Sequence, residues 1–311
     1  MSLYDLDLDY TIPMLDISTD ELKEIIAAAD RIICENLESN GTLAIAYLKK
    51  AQSMQKIEET RMNQIGYTDQ TKIPVTDKEI QNIIREIIEK ALELSPDMPE
   101  ALMQMGKVFM SMPESNNEHL EKAIAMYSRA IEIKSDYPAA YNNRGIAYGP
   151  SSNDLYRIYI QDASNNNNYI INRSYNNNLE KAIVDYTEAL RFRPHDPVYY
   201  YNRGREYSES KEYKNASDDY SNAINYGTDE FIMELMLFGI RGNEYMKLKD
   251  YQKAINDFSI SIRLNPDIIE LLLLRGKCYL LSREYERAIV DLTEFKRLKI
   301  IRGIPVEGYI A

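Results

Sequence analysis

Tyr199-Tyr200-Tyr201-Asn202-Arg203-Gly204-Arg205-Glu206-Tyr207 is the stretch that decides the fold, because its pattern returns twice further along the chain. Gly204, Gly242 and Gly276 lie 38 and 34 residues apart. Tyr207, Tyr245 and Tyr279 keep the same two intervals, and so do Ala216, Ala254 and Ala288. Unrelated residue types sharing one period indicate a structural unit copied in tandem. With Pro197 as position 1 of the unit, Tyr200, Gly204 and Tyr207 stand at 4, 8 and 11, and Ala216, Tyr220 and Ala223 at 20, 24 and 27. Spacings of three and four place each set on one face of a helix, so each unit is two amphipathic helices joined by a polar turn. The small residues at 8, 20 and 27 fit where two helix axes come close, since a larger side chain there overpacks the crossing.

The pattern of an aromatic, Gly and Tyr, then Ala, an aromatic and Ala, with Pro near position 32, resembles the tetratricopeptide repeat. Pro194 and Pro266 close two units. The register continues through Leu272, Gly276, Tyr279, Ala288 and Leu292, and through Phe238, Gly242, Tyr245, Ala254 and Phe258. It extends back through Tyr141, Gly145, Tyr148, Ala182, Tyr186 and Ala189, and through Leu102, Gly106, Phe109, Ala123, Tyr127 and Ala130. A first unit carries Tyr47, Ala51, Met54, Ile84, Ile88, Ala91 and Pro96.

The resemblance implies an all-α, right-handed solenoid of about six units over residues 44–299. The units fall at about 44–97, 99–136, 138–196, 197–230, 235–268 and 269–299. Residues 1–18 read as an N-terminal tail, 19–43 as a helix packing on the array, and 300–311 as an apolar C-terminal tail. Departures from the period place insertions at 60–78, 112–118 and 150–174, each in the turn between the two helices of a unit. The last is rich in asparagine and reads either as a hairpin or as a low-complexity surface insert.

Bulk properties narrow the partners. A net charge of −12 argues against nucleic acid, whose binding relies on Lys and Arg. No run of 18 apolar residues is present, so no membrane span is expected, and the acidic N-terminus lacks the basic region of a secretory signal. Two cysteines, Cys34 and Cys278, read as reduced, buried thiols, which suits a cytoplasmic protein.

Catalysis has little support. Neither His119 nor His195 has a Cys or His at metal-ligand spacing, and no phosphate loop or nucleophile elbow is present, so no enzyme, metal or cofactor is expected. Arg recurs at position 7 (Arg144, Arg203, Arg241, Arg275) and Asp at position 23 (Asp185, Asp219, Asp257, Asp291), which predicts a ladder of structural ion pairs.

The resemblance also implies where a partner would bind: a groove lined by first-helix positions 2, 5, 6 and 9. Those positions make Asn142, Asn143, Tyr201, Asn202, Arg205, Asn243 and Lys277 the candidate peptide contacts. An amide both donates and accepts, so it suits an extended backbone. The carboxylate clamp that some members use for chaperone tails has no counterpart, since units two to four offer Met103, Lys107, Asn143, Val198 and Asn202 in its place. The expected role is a non-catalytic scaffold binding a peptide or protein segment. The alternatives are a self-associating protein that uses its C-terminal tail, and a small-ligand sensor under the inserted loops.

Overall fold

The computed structural model describes residues 19–35, 39–68, 78–112, 117–149, 178–227 and 231–303. The 150–174 insertion and both tails beyond these limits lie outside the described residues. Among the described residues the regular elements are all helices. They fall into two compact units, residues 1–135 and 136–311.

The first unit holds α1 (Thr19–Glu35), α2 (Asn40–Thr68), α3 (Lys78–Leu94), α4 (Pro99–Ser111) and α5 (Asn117–Ile133). Helices α2 and α3 pair, as do α4 and α5, and α1 packs on α2. Leu48, Ala51, Ile84, Ile88, Ala91, Ala101, Met105 and Val108 form one core. Helix α2 runs on to Thr68, so the first part of the stretch read as an inserted turn is helical. Lys50 ties α2 to Asp30 of α1 at 2.6 Å.

The second unit holds α6 (Pro138–Tyr148), α7 (Leu179–Phe192), α8 (Pro197–Glu209), α9 (Tyr213–Tyr226), α10 (Phe231–Lys247), α11 (Tyr251–Leu264), α12 (Glu270–Leu281) and α13 (Tyr285–Ile301). Each helix packs on the next, giving four hairpins stacked in chain order. The helix starts are written in the sequence. Pro138 and Pro197 occupy the first turn, where a missing N–H leaves nothing unpaired. Asp196 accepts from the Val198 N–H at 3.0 Å, Asn178 from Lys181 at 3.2 Å and Asp250 from Lys253 at 3.3 Å. Between the two helices of three hairpins one residue turns left-handed: Lys211, Lys249 and Arg283, at φ near 65°, 62° and 64°. These share position 15, and the following N–H returns to the carbonyl of Tyr207, Tyr245 or Tyr279 at 2.8–2.9 Å.

Each hairpin closes at one point. A Cβ on Gly145, Gly204, Gly242 or Gly276 would stand 2.8–2.9 Å from the side chain of Tyr186, Tyr220, Phe258 or Leu292. Gly106 is set against Tyr127 in the same way in the first unit. The bare glycine therefore lets the second helix insert a large side chain at position 24, and Tyr127, Tyr186, Tyr220 and Phe258 are fully buried.

Two expectations follow for solution measurements. Gly242→Ala gains about 1 kcal/mol of helix propensity but forces the Phe258 ring out of place, at roughly 1–3 kcal/mol, so the urea midpoint falls. Gly41→Ala, with nothing nearer than Ser39 Oγ at 3.9 Å, leaves stability unchanged or raises it by up to about 1 kcal/mol. The cysteines divide as well. Cys278 is buried, which pushes its thiol up to about 11, whereas Cys34 is exposed, contrary to the expectation that both are buried, because it lies on the open side of α1. A thiol reagent at pH 8 is expected to label Cys34 in the native chain and Cys278 only after unfolding, as read by mass spectrometry of the peptides.

Candidate functional site

The candidate site is the face formed by the first helices of the second unit, α6, α8, α10 and α12. What fixes those helices is the ladder beneath them. Arg144 grips Asp185 with Nε at 2.8 Å and Nη2 at 2.7 Å. Arg203 holds Asp219 at 2.8 and 2.8 Å, Arg241 holds Asp257 at 2.8 and 2.8 Å, and Arg275 holds Asp291 at 2.7 and 2.8 Å. The aspartates are almost fully buried, so each needs this two-pronged partner. Burial pushes the Asp185 and Asp219 carboxyls up, opposed by the guanidinium hydrogen bonds. Rings flank the guanidinium on the same helix: Arg203 lies 5.7 Å from the Tyr200 ring and 5.8 Å from Tyr207, and Arg241 lies 5.5 Å from Phe238 and 5.7 Å from Tyr245.

The third prong was not foreseen. Nη1 of Arg203 donates to Thr187 at 3.1 Å, that of Arg241 to Ser221 at 3.0 Å, and that of Arg275 to Ser259 at 3.0 Å. Each hydroxyl belongs to the second helix of the preceding hairpin, so one arginine bonds within its own hairpin and to its neighbour. The signal was legible: a hydroxyl follows each aspartate by two residues, as Asp185/Thr187, Asp219/Ser221, Asp257/Ser259 and Asp291/Thr293.

Above the ladder the first helices touch one another directly. Asn202 Nδ2 donates to Asn142 Oδ1 at 2.8 Å, joining α8 to α6. Ser208 of α8 donates to Glu244 of α10 at 2.9 Å, and Lys247 donates to the same Oε1 at 2.9 Å. Glu206 is fully buried beside Gly149, where a Cβ would stand 2.7 Å from its Oε1, and it accepts from Arg205 Nη2 at 3.0 Å. Burial pushes the Glu206 carboxyl up against the pull of Arg205. Glu206 and Glu244 share position 10 in successive units, each next to a basic residue at 9 or 13, and the sequence reading passed over both.

The seven candidate contacts therefore separate. Asn142 and Asn202 are buried and bonded to each other. Tyr201 is buried in the α8–α9 core, 6.2 Å from the Tyr220 ring. Arg205 keeps 13% of its side chain exposed and is paired with Glu206. Asn143 and Asn243 are half-buried, and Lys277 is exposed.

Sequence comparisons agree with this geometry. A family profile described as a TPR repeat matches residues 117–149, and profiles of the tetratricopeptide repeat match residues 197–226 and 241–293. The chain is a tetratricopeptide repeat protein. No curated protein matches it. Solved tetratricopeptide repeat structures share its fold. YrrB, described as a TPR protein with an unusual peptide-binding site, is 18% identical over 68% of this chain and 91% of its own, with a TM-score of 0.51. Cut9 with Hcn1, from an APC/C hetero-tetramer, is 14% identical over 93% of this chain and 47% of its own, with a TM-score of 0.52. MamA is 15% identical over 67% of this chain and 97% of its own, with a TM-score of 0.50. At these identities the likeness concerns the fold. Among the described residues no helix is long and apolar enough to cross a membrane.

The ladder gives this repeat array a measurable signature. Asp219→Ala leaves Arg203 without its carboxylate and is expected to lower stability by about 3 kcal/mol. Replacing both partners, Arg203→Met with Asp219→Leu, is expected to recover most of that loss, as read from urea midpoints at pH 7.

Proposed function

We propose that this chain is a non-catalytic, cytoplasmic interaction scaffold that binds a peptide or protein segment along the α6, α8, α10 and α12 face. The observation that carries the reading is the direct hydrogen bonding between successive first helices, Asn142 with Asn202 and Ser208 with Glu244. These bonds tie α6 to α8 and α8 to α10, so residues far apart in sequence are held on one face. Tandem repeats use such surfaces for binding. YrrB, which shares the fold, is itself described by its peptide-binding site.

The roles within the candidate set differ. Asn143 and Asn243 are half-buried and Lys277 is exposed, and these three are the proposed contacts. Asn142 and Asn202 lie beneath and join α6 to α8, while Tyr201 packs on α9 and Arg205 is paired with Glu206. At position 9 Arg205 and Asn243 are half-buried and Lys277 is exposed. The α10 and α12 end is therefore where a ligand gains most contact. Lys247 and Lys277 are exposed there on a chain of net charge −12, which favours a neutral or mildly acidic segment.

A displayed library of random peptides provides the test. Peptides selected on the full chain are expected to lose affinity at least tenfold when Asn243→Ala is combined with Lys277→Glu, and to keep it when Lys253→Ala alters the exposed side of α11. Peptides insensitive to the first pair but lost with the second would overturn the assignment.

A further inference from the structure

The last helix shows a face that its counterpart one repeat earlier keeps covered. On α11, Ile255 is 5% exposed and packs with Leu271 and Cys278 of the following helix, and Tyr251 joins the same cluster. Tyr285 and Ile289 hold the same repeat positions on α13, yet they are 58% and 64% exposed. Val290, Ile300 and Ile301 are exposed to 67%, 61% and 66%. The exposed residues of α11 are polar instead: Gln252, Lys253, Asn256 and Arg263. Helical spacing of 100° per residue sets Ile289, Val290, Thr293, Arg297, Ile300 and Ile301 on one side of α13, opposite the buried Ala288, Asp291, Phe295 and Lys299.

This face is complementary to itself. Turned end over end about residue 295, it brings Ile289 onto Ile300 along one edge and Val290 onto Ile301 along the other, while Thr293 meets Arg297 at the centre. The central pair has a precedent inside the array. Thr293 holds the position at which Thr187, Ser221 and Ser259 accept Nη1 of the next arginine. Arg297 has its Nε and Nη2 held by Glu294, both at 2.7 Å, as Asp219 holds those of Arg203, so its Nη1 is directed away from the carboxylate. Charge agrees weakly with the same orientation: Glu284 pairs with Arg287 and Glu294 with Arg297, each at 2.7 Å, while Glu286 stands in the first turn and Lys296 in the second half, so the antiparallel arrangement sets acid toward base.

We propose that this face of α13 is a dimerisation surface that pairs antiparallel with the α13 of a second copy, Ile289 against Ile300 and Val290 against Ile301. The paired stretch is about 18 Å long, so the buried area falls below the roughly 1,200 Å² of a standard stable interface, and the association is expected to be weak. The surface is separate from the first-helix face and does not depend on the scaffold reading.

Sedimentation velocity of the full chain from about 5 to about 300 μM at physiological salt tests it, spanning the weak association expected of so small an interface. The wild-type chain is expected to move from monomer to dimer across that range. Ile289→Lys alone and Ile300→Glu alone, both at exposed positions and with helicity checked by circular dichroism, are each expected to weaken association at least tenfold. The two together place opposite charges against each other twice in an antiparallel dimer, and association is expected to be stronger than that of either single variant. A wild-type chain that stays monomeric, single variants that associate as wild type does, or a double variant as weak as the singles would each overturn the proposal.

Discussion

The array from residue 136 to 303 depends on a glycine that has nothing on it. At Gly145, Gly204, Gly242 and Gly276 the first helix presents bare backbone, and the second helix answers with Tyr186, Tyr220, Phe258 or Leu292. That contact fixes how deeply the two helices of a hairpin interlock. It also sets the depth at which position 23 lies, so the aspartate beside each of these residues meets Arg144, Arg203, Arg241 or Arg275 with both oxygens. Close packing and charge pairing are thus two results of one spacing. Ring faces flanking the arginines and hydroxyls from the preceding helix complete the surroundings of each cation.

Most of the fold could be read from the chain because its causes repeat. Gly204, Ala216 and Tyr220 recur at one period, and a recurring side chain at a recurring position has a single physical explanation. The Arg–Asp ladder was legible for the same reason, and all four rungs form as spaced. What escaped were properties of neighbours rather than of positions. Asn142 and Asn202 read as free amides because their helical spacing says nothing about the helix alongside; in the fold each is the other's partner. Glu206 and Glu244 drew no notice from the sequence because what buries them, Gly149 and Ser208, belongs to the preceding hairpins. Helix α2 passes beyond the boundary drawn from the repeat because a helical segment continues wherever propensity allows, whatever the period prescribes. Cys34 stands about 140° around α1 from the buried Ala29, off the stripe that Leu22, Ile25 and Ala29 mark, so its exposure could have been read from that spacing.

The same distinction governs the candidate site. Its scaffold is periodic and could be anticipated; its contacts depend on what varies between repeats. Position 9 carries Ile146, Arg205, Asn243 and Lys277 on an otherwise uniform frame. Recognition on such a frame resides in residues that escape the repeat, because the repeated ones are engaged in holding the frame together.

The shared arginines carry a mechanical implication. Nη1 of Arg203, Arg241 and Arg275 clasps the hairpin before its own, so separating two hairpins tears a bond from a cation that is still bound to its aspartate. An inner hairpin is clasped in this way on both sides and an end hairpin on one side only. Under tension or heat these four hairpins should therefore come apart like a zip from its ends, and damage to an inner tooth should spread to the teeth on either side.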